Sequence, residues 1–309
     1  MARCVCACWA QGTDRTHSRF SSAIPYAIRV PDGSVIEAYT HEATGGQLSI
    51  DSTVHDFEQV DMDRVHTLTG PIFVEGAEPG DVLAVELLEL EPGEWGWTGM
   101  GPHFGFLSDE TTPSAFKTYR LDKEANLVHF AEGVSIPMKP FPGVMGVAPD
   151  TDEMLVTFPP RANGGNMDDP NIGAGATAYF PVFVEGALFS IGDTHAVQGM
   201  GEVVGTAVEV PMRVLFRVSV IRDRQIAEPQ YETADYYATT GFGTTIDEAA
   251  RKASRYMIQH VQETYGLTAE EAYMLCSLAG DLKIAEVVDL PHMLVTMHLP
   301  KGIFTSRGD

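Results

Sequence analysis

Apolar and polar residues alternate most cleanly in "RVLFRVSVI", which sets Val214, Phe216, Val218 and Val220 on one face and Leu215, Arg217 and Ser219 on the other. That period of two is the pattern of a strand with one buried side. "DVLAVELLEL" and "EVVGTAVEV" alternate less strictly, as strands covered on both sides do. From about Ser18 to Val220 such short runs follow one another between Gly and Pro clusters, so the chain predicts a body made mainly of strands. After Gly243 the period changes. Thr245 stands three residues before Glu248, a capping-box spacing, and Ala249, Ala253, Met257 and Val261 then recur at helical intervals. A second such spacing, Thr268 to Glu271, opens a shorter helix ended by Gly280. "LKIAEVVDLPHMLVTMHLP" returns to strands. The reading is α+β, predominantly β, with a C-terminal helical pair.

The chain also says nearly the same thing twice. "PIFVEGAEPGD" begins at Pro71 and "PVFVEGALFSIGDTH" at Pro181, so duplicated β-sandwich or barrel-like elements are expected. The expected organisation is a leader over 1–17, a β-rich lobe with the first copy over 18–175, and a second copy with the C-terminal α+β part over 176–309. The leader, disordered or mis-started, holds Cys4, Cys6 and Cys8 at a spacing that is not a usual zinc pattern.

Charge narrows the partners. With 43 acidic residues against 20 basic ones, the formal net charge is -23. Such a surface repels phosphate backbones and anionic lipid, which removes nucleic-acid and membrane roles. No apolar run reaches the roughly 18 residues of a membrane span, and the first residues lack a convincing secretory core, so a cytoplasmic protein is expected.

The two copies differ in what they carry. Gly80-Asp81 is sufficiently explained as turn chemistry. In the second copy Asp193 and His195 stand two apart and project to one side of an extended segment. Such a pair can hold a divalent metal with Glu202 as a third ligand or a base, and a metal held this way activates water at neutral pH. The alternative is a buried histidine bonded to a neighbouring carboxylate. Spacing leaves both open.

Five stretches, "GPIFVEGAEPGD", "FPGVMGVAP", "PPRANGGNMD", "PVFVEGALFSIGDTHAVQGMGEVVGTAVE" and "LTAEEAYMLCSLAGDLKIAEVVD", together resemble the acetamidase/formamidase family, which hydrolyses small amides to a carboxylate and ammonia. The resemblance runs from about Val30 to Leu299. It implies a small amide substrate, a homo-oligomer, and a divalent metal, zinc or alternatively calcium, around Asp193 and His195 with Glu202 close by. The family tends to show a carboxylate near "HEATGGQLS", which makes Glu42 a further ligand or base. It commonly has an acid where Met200 stands, so a family "QGDGE" reads "QGMGE" here.

Around this centre, Gly164 and Gly165 permit close backbone approach to a ligand. Asn166 and Asp168 are placed to bind the amide or face the metal, and Arg161 to hold a carboxylate product or pair with a surface acid. Phe141 and Met145 are either an apolar wall or core. His55, His66 and His103 remain unassigned. Cys276 shares a helical face with Ala272, Leu275 and Ala279, the pattern of a buried small hydrophobe, and no Gly-x-Ser-x-Gly elbow occurs. The alternatives to a metal-dependent amidase are a non-catalytic metal-stabilised assembly protein and a hydrolase of a different C–N bond.

Overall fold

In the computed structural model, which describes residues 5–8, 15–102, 104–110 and 113–305, the strand Met212–Ile221 keeps the alternation of its sequence. Met212, Val214, Phe216 and Val218 are buried, while Arg213, Leu215, Arg217 and Ser219 are only partly covered. It lies near the middle of a nine-stranded sheet. From one edge to the other the order is Val5–Cys8, Val35–Thr40, Met212–Ile221, Val82–Pro92, Thr177–Pro181, Gln230–Glu232, Tyr236–Gly243, Met293–Pro300 and Asp281–Glu286.

A six-stranded sheet faces it, built on Phe141–Gly146, Phe189–His195 and Leu68–Val74, with Gly164–Asn166 at one edge and Thr16–His17 and Ile28–Val30 both paired to Leu68–Val74. The main core lies between the two sheets, where Leu83, Val85, Phe216 and Val218 meet Ile72, Met145, Phe189 and Ile191. The long helix Ile246–Tyr265 and the shorter Ala269–Ala279 cover the other face of the large sheet. There Ala253, Met257, Val261 and Cys276 pack on Val82, Ala84, Met297 and Leu299. Val82–Pro92 thus sends alternate residues into two cores, the physical reason that "DVLAVELL" reads as a continuous apolar run.

Both helix starts follow their local chemistry. Thr245 Oγ1 accepts from the Glu248 amide at 3.1 Å, and Thr268 and Glu271 form a complete capping box. Ala249, Ala253, Met257 and Val261 are the buried face.

"EVVGTAVEV" departs from its expected strand. Glu202 at φ 44 and Gly205 at φ 82 turn the backbone back on itself, and only Glu209 enters bridges, with Trp97 and with His195. Thr16 and His17, assigned to the leader by sequence, form a strand against Leu68–Thr69, and the His17 ring bonds Ser190 Oγ at 2.8 Å. Cys4 and residues 9–14 lie outside the described residues. Strands from both sides of the 175/176 division contribute to both sheets.

The repeat has a structural meaning. Each copy is the crossing from one sheet to the other: Leu68–Val74 leads into Val82–Pro92, and Thr177–Pro181 leads into Phe189–His195 in the opposite sense. The two crossings bond each other. The Val74 amide donates to the Gly186 carbonyl at 2.9 Å, Gly186 donates to Ala77 at 2.8 Å, and Val182 donates to Asp81 at 2.9 Å. Among the described residues no helix is long and apolar enough to cross a membrane.

Candidate active site

The second crossing delivers Phe189–His195 to the middle of the six-stranded sheet, with Asp193 and His195 near its end. Asp193 adopts φ 48, and Asp168 and Glu202 adopt φ 42 and 44. Three buried acids therefore hold a left-handed backbone that non-glycine residues seldom take, a cost that persists only where the surroundings enforce it. Gly143, on the neighbouring strand, makes the space. A Cβ there would stand 2.4 Å from Asp168 Oδ1 and 2.8 Å from His195 Cε1.

The acids converge. Ligand atoms of Asp168, Asp193 and His195 lie within 4.8 Å of one another, as do those of His195, Glu202 and Glu209, and those of Asp168, Glu202 and Asp289. His195 Nε2 is 3.1 Å from Glu209 Oε2 and 3.5 Å from Asp193 Oδ2, and His66 Nε2 stands 3.8 Å from the same Asp193 oxygen. The orientation of the imidazole is fixed from behind. Gln198 Nε2 donates to the Asp168 carbonyl at 2.7 Å, so its Oε1, 3.0 Å from His195 Nδ1, accepts the ring proton there. In the neutral ring that leaves the Nε2 lone pair aimed at two carboxylates, an arrangement that requires a proton or a cation between them.

The charge balance says the same. Burial raises the Asp168 and Glu209 carboxyls to about 7. It also drives Glu202 and Asp289 well above the usual carboxylate range, with Asp168 and Glu286 respectively adding repulsion, and lifts Glu286, behind Asp289, to about 8. Burial would raise Asp193 as well, but His66 and His195 outweigh it and hold that carboxyl at about 2. Against the effect of burial, Glu209 and Asp193 hold the His195 imidazole well above its ordinary range. So many buried acids cannot all ionise without compensating positive charge.

Both Asp168 oxygens, Asp193 Oδ1 and Glu209 Oε2 are buried without a hydrogen-bond partner. Oxygens left bare in this way, beside an imidazole with a directed lone pair, fit a divalent cation. The groups can hold a metal ion.

The remaining candidates separate. Asn166 joins the site: its Nδ2 donates to Asp289 Oδ2 at 2.6 Å and its Oδ1 is buried without a partner. Glu42 does not. Its carboxylate accepts from the Thr44 amide at 2.9 Å, Thr44 Oγ1 at 2.7 Å, the Gly46 amide at 2.7 Å and Trp97 Nε1 at 2.9 Å, which occupies the lone pairs a ligand or base needs. Gly164 and Gly165 form an edge strand buried against Met145 and Gly146 instead of approaching a ligand. Arg161 is spent on its own loop, donating to the carbonyls of Val156 at 2.8 Å and Pro159 at 3.0 Å.

Met200 is exposed, and its sulfur accepts from Asn171 Nδ2 at 3.3 Å. Phe141 and Met145 are fully buried core, Phe141 meeting the His195 ring edge-on. His55 is exposed, His103 lies outside the described residues, and Cys276 is buried in the helical core, which pushes its thiol up. Glu209, Asp289 and the site position of His66 were missed from the sequence; only proximity in space marks them.

The site floors a cavity of about 670 Å³. Asn166, Asp168, Asp193, Glu202, Glu209 and Asp289 line one end, and the rest is largely apolar.

The model of the acetamidase/formamidase family matches residues 7–156 and 151–306. A solved structure described as a recombinant predicted acetamidase/formamidase from Thermoanaerobacter tengcongensis is 36% identical, with a TM-score of 0.88 and 94% of each chain covered. The formamidase of Methylophilus methylotrophus is 27% identical over 96% of this chain and 91% of its own. The acetamidase of Mycolicibacterium smegmatis is 32% identical over 60% of this chain and 61% of its own.

Proposed function

Since the chain belongs to the acetamidase/formamidase family and is an amidohydrolase acting on small linear amides, we propose that it hydrolyses them with a divalent metal held by Asp193 and His195 together with Asp168, Glu202 or Glu209. The observation that carries this reading is His195. Gln198 fixes its Nδ1 proton, so that Nε2 faces Asp193 Oδ2 and Glu209 Oε2, the latter with no other partner. An imidazole among the donors favours zinc over calcium. A bound divalent cation polarises an amide carbonyl and acidifies water.

The chain supplies the rest. Asn166 Oδ1, buried and unpartnered at the cavity wall, accepts an N–H of the substrate amide and orients it. Glu202, whose carboxyl is raised above the usual range by burial and by the neighbouring Asp168, is the group that takes a proton from the attacking water and returns it to the departing nitrogen. Asp289, bonded to Asn166, keeps that amide group in place. Exclusion of bulk water by the buried site strengthens each of these interactions.

The test is ammonia release from formamide and acetamide by protein as purified, after chelator, and after return of zinc or calcium. Release that disappears with chelator and returns with one metal is expected, together with loss of both metal and turnover in His195→Ala. Full activity in the chelated protein or in His195→Ala overturns the proposal.

A further inference from the structure

The cavity is far larger than the amides of the preceding section. Formamide occupies roughly two waters' worth of space, about 60 Å³, whereas about 670 Å³ lies above the acids, within the range of pockets that enclose ring-bearing ligands. Its far wall is apolar and includes Phe57, Val60, Trp97, Phe104, Phe158 and Leu290. Among the described residues no lysine or arginine lines it. A substrate with a carboxylate or phosphate would therefore find neither guanidinium nor ammonium to pair with among the described residues, while a cationic group would compete for the acids themselves. A neutral, apolar group is what this wall accepts.

The wall is tied to the reacting end in fixed register. Trp97 and Glu209 exchange backbone hydrogen bonds, 3.0 Å from the Trp97 amide to the Glu209 carbonyl and 2.8 Å in return, and Glu209 is also bridged to His195. Residues directly opposite in such antiparallel pairs share one face, with Cβ atoms about 5 Å apart. Trp97 is thus the cross-strand neighbour of the acid that touches the His195 imidazole. The indole is held: Glu42 accepts its Nε1 proton at 2.9 Å, and Phe57 and Phe116 pack on it with ring centroids 5.7 Å away. This gives Glu42 its place in the molecule, as the anchor of the wall.

From these relations we infer that the site takes neutral primary amides bearing a ring-sized apolar acyl group, with that group laid against Trp97 and Phe57, in preference to formamide and acetamide. The inference rests on the amidase reading for the reaction, in which the oxygen of one water adds to the carbonyl carbon, the C–N bond breaks, and ammonia leaves with a proton while the acyl group becomes a carboxylate. It rests on the cavity alone for the choice of substrate.

Phenylacetamide and acetamide are the probes, each followed by ammonia release and by calorimetric binding, in the unaltered protein, Trp97→Ala and Phe57→Ala. The second variant guards against loss of folding, because Phe57 sits on the short helix Val54–Glu58, which has no buried residue. Expected are saturable phenylacetamide binding and a kcat/KM at least tenfold above that for acetamide, with the ratio falling about tenfold in Phe57→Ala, as loss of one ring against the acyl group predicts. Ammonia release from acetamide that equals or exceeds release from phenylacetamide overturns this inference and leaves the amidase reading standing. Saturable phenylacetamide binding, weakened in Phe57→Ala, with no ammonia from either amide supports the cavity assignment and overturns the amidase reading instead. Neither binding nor release overturns both.

Discussion

Gln198 holds His195 from behind: one amide group accepts the imidazole Nδ1 proton at 3.0 Å and donates to the Asp168 carbonyl at 2.7 Å, so a single side chain links a ring and an acid of the same site. The imidazole acts as a directed donor only while this link exists. Outer partners of this kind are worth 10–100-fold in metal affinity or activity.

Gln198→Leu removes the link with little change in volume. The expected result is a metal affinity and a kcat lower by about 10–100-fold, together with a lower unfolding midpoint of the metal-free protein, because the His195 Nδ1–H and the Asp168 carbonyl lose their partner. Titration with zinc followed by ammonia release reads both.

Glu42→Ala acts on stability first. Four donors lose their acceptor at a buried position, and a loss of about 3 kcal/mol is expected. Urea unfolding measures it. Metal content at saturation is expected to stay at the unaltered level, whereas a ligand role for Glu42 would reduce it.

Met200→Asp restores the acid usual in the family, yet the side chain it replaces is exposed against Asn171. Metal affinity is expected to change less than about threefold, in keeping with surface substitutions worth under ~0.5 kcal/mol. A tenfold gain in affinity would place position 200 at the metal.

His17 makes stability depend on pH. Burial lowers its imidazole from 6.5 to about 4, so the folded chain resists a proton that the unfolded chain accepts. The stabilisation is complete above pH 6.5 and is lost as the pH falls from 6.5 towards 4. In His17→Gln this contribution is absent. The stability difference between the two proteins, taken from urea midpoints at steps between pH 7 and 4, is expected to shift against the unaltered protein across that window.

What was legible in the chain was whatever is decided within a few residues. Thr245 with Glu248 and Thr268 with Glu271 write their helix starts locally, and Asp193, His195 and Glu202 lie close enough in sequence to be read as one constellation. Glu209 and Asp289 were not legible. Glu209 enters the site through pairing with Trp97, more than a hundred residues earlier, and Asp289 through a loop between the last two strands. Gly164 and Gly165 misled for the opposite reason. A glycine pair in a polar stretch looks like a ligand loop, but the space Gly164 saves is taken by Met145 and Gly146 on the neighbouring strand and by Phe180, and the space at Gly165 adjoins Pro159, Pro160 and Phe20. Glu42, which the family resemblance made a further ligand or base, has instead the Trp97 indole as a partner, 55 residues away.

The mutual bonding of the two crossings sets an order of events as the chain is made. Pro71 and Pro181 open segments about 110 residues apart, and neither crossing finds its partner until both have been synthesised. Most of the acids follow or adjoin the second segment, and Asp289 arrives almost last. A growing chain therefore carries half-paired sheets and no assembled site through most of its synthesis, and closure of so many distant contacts is slow. A chain cut short before residue 289 would lack both an acid of the cluster and the strand Met293–Pro300 of the large sheet.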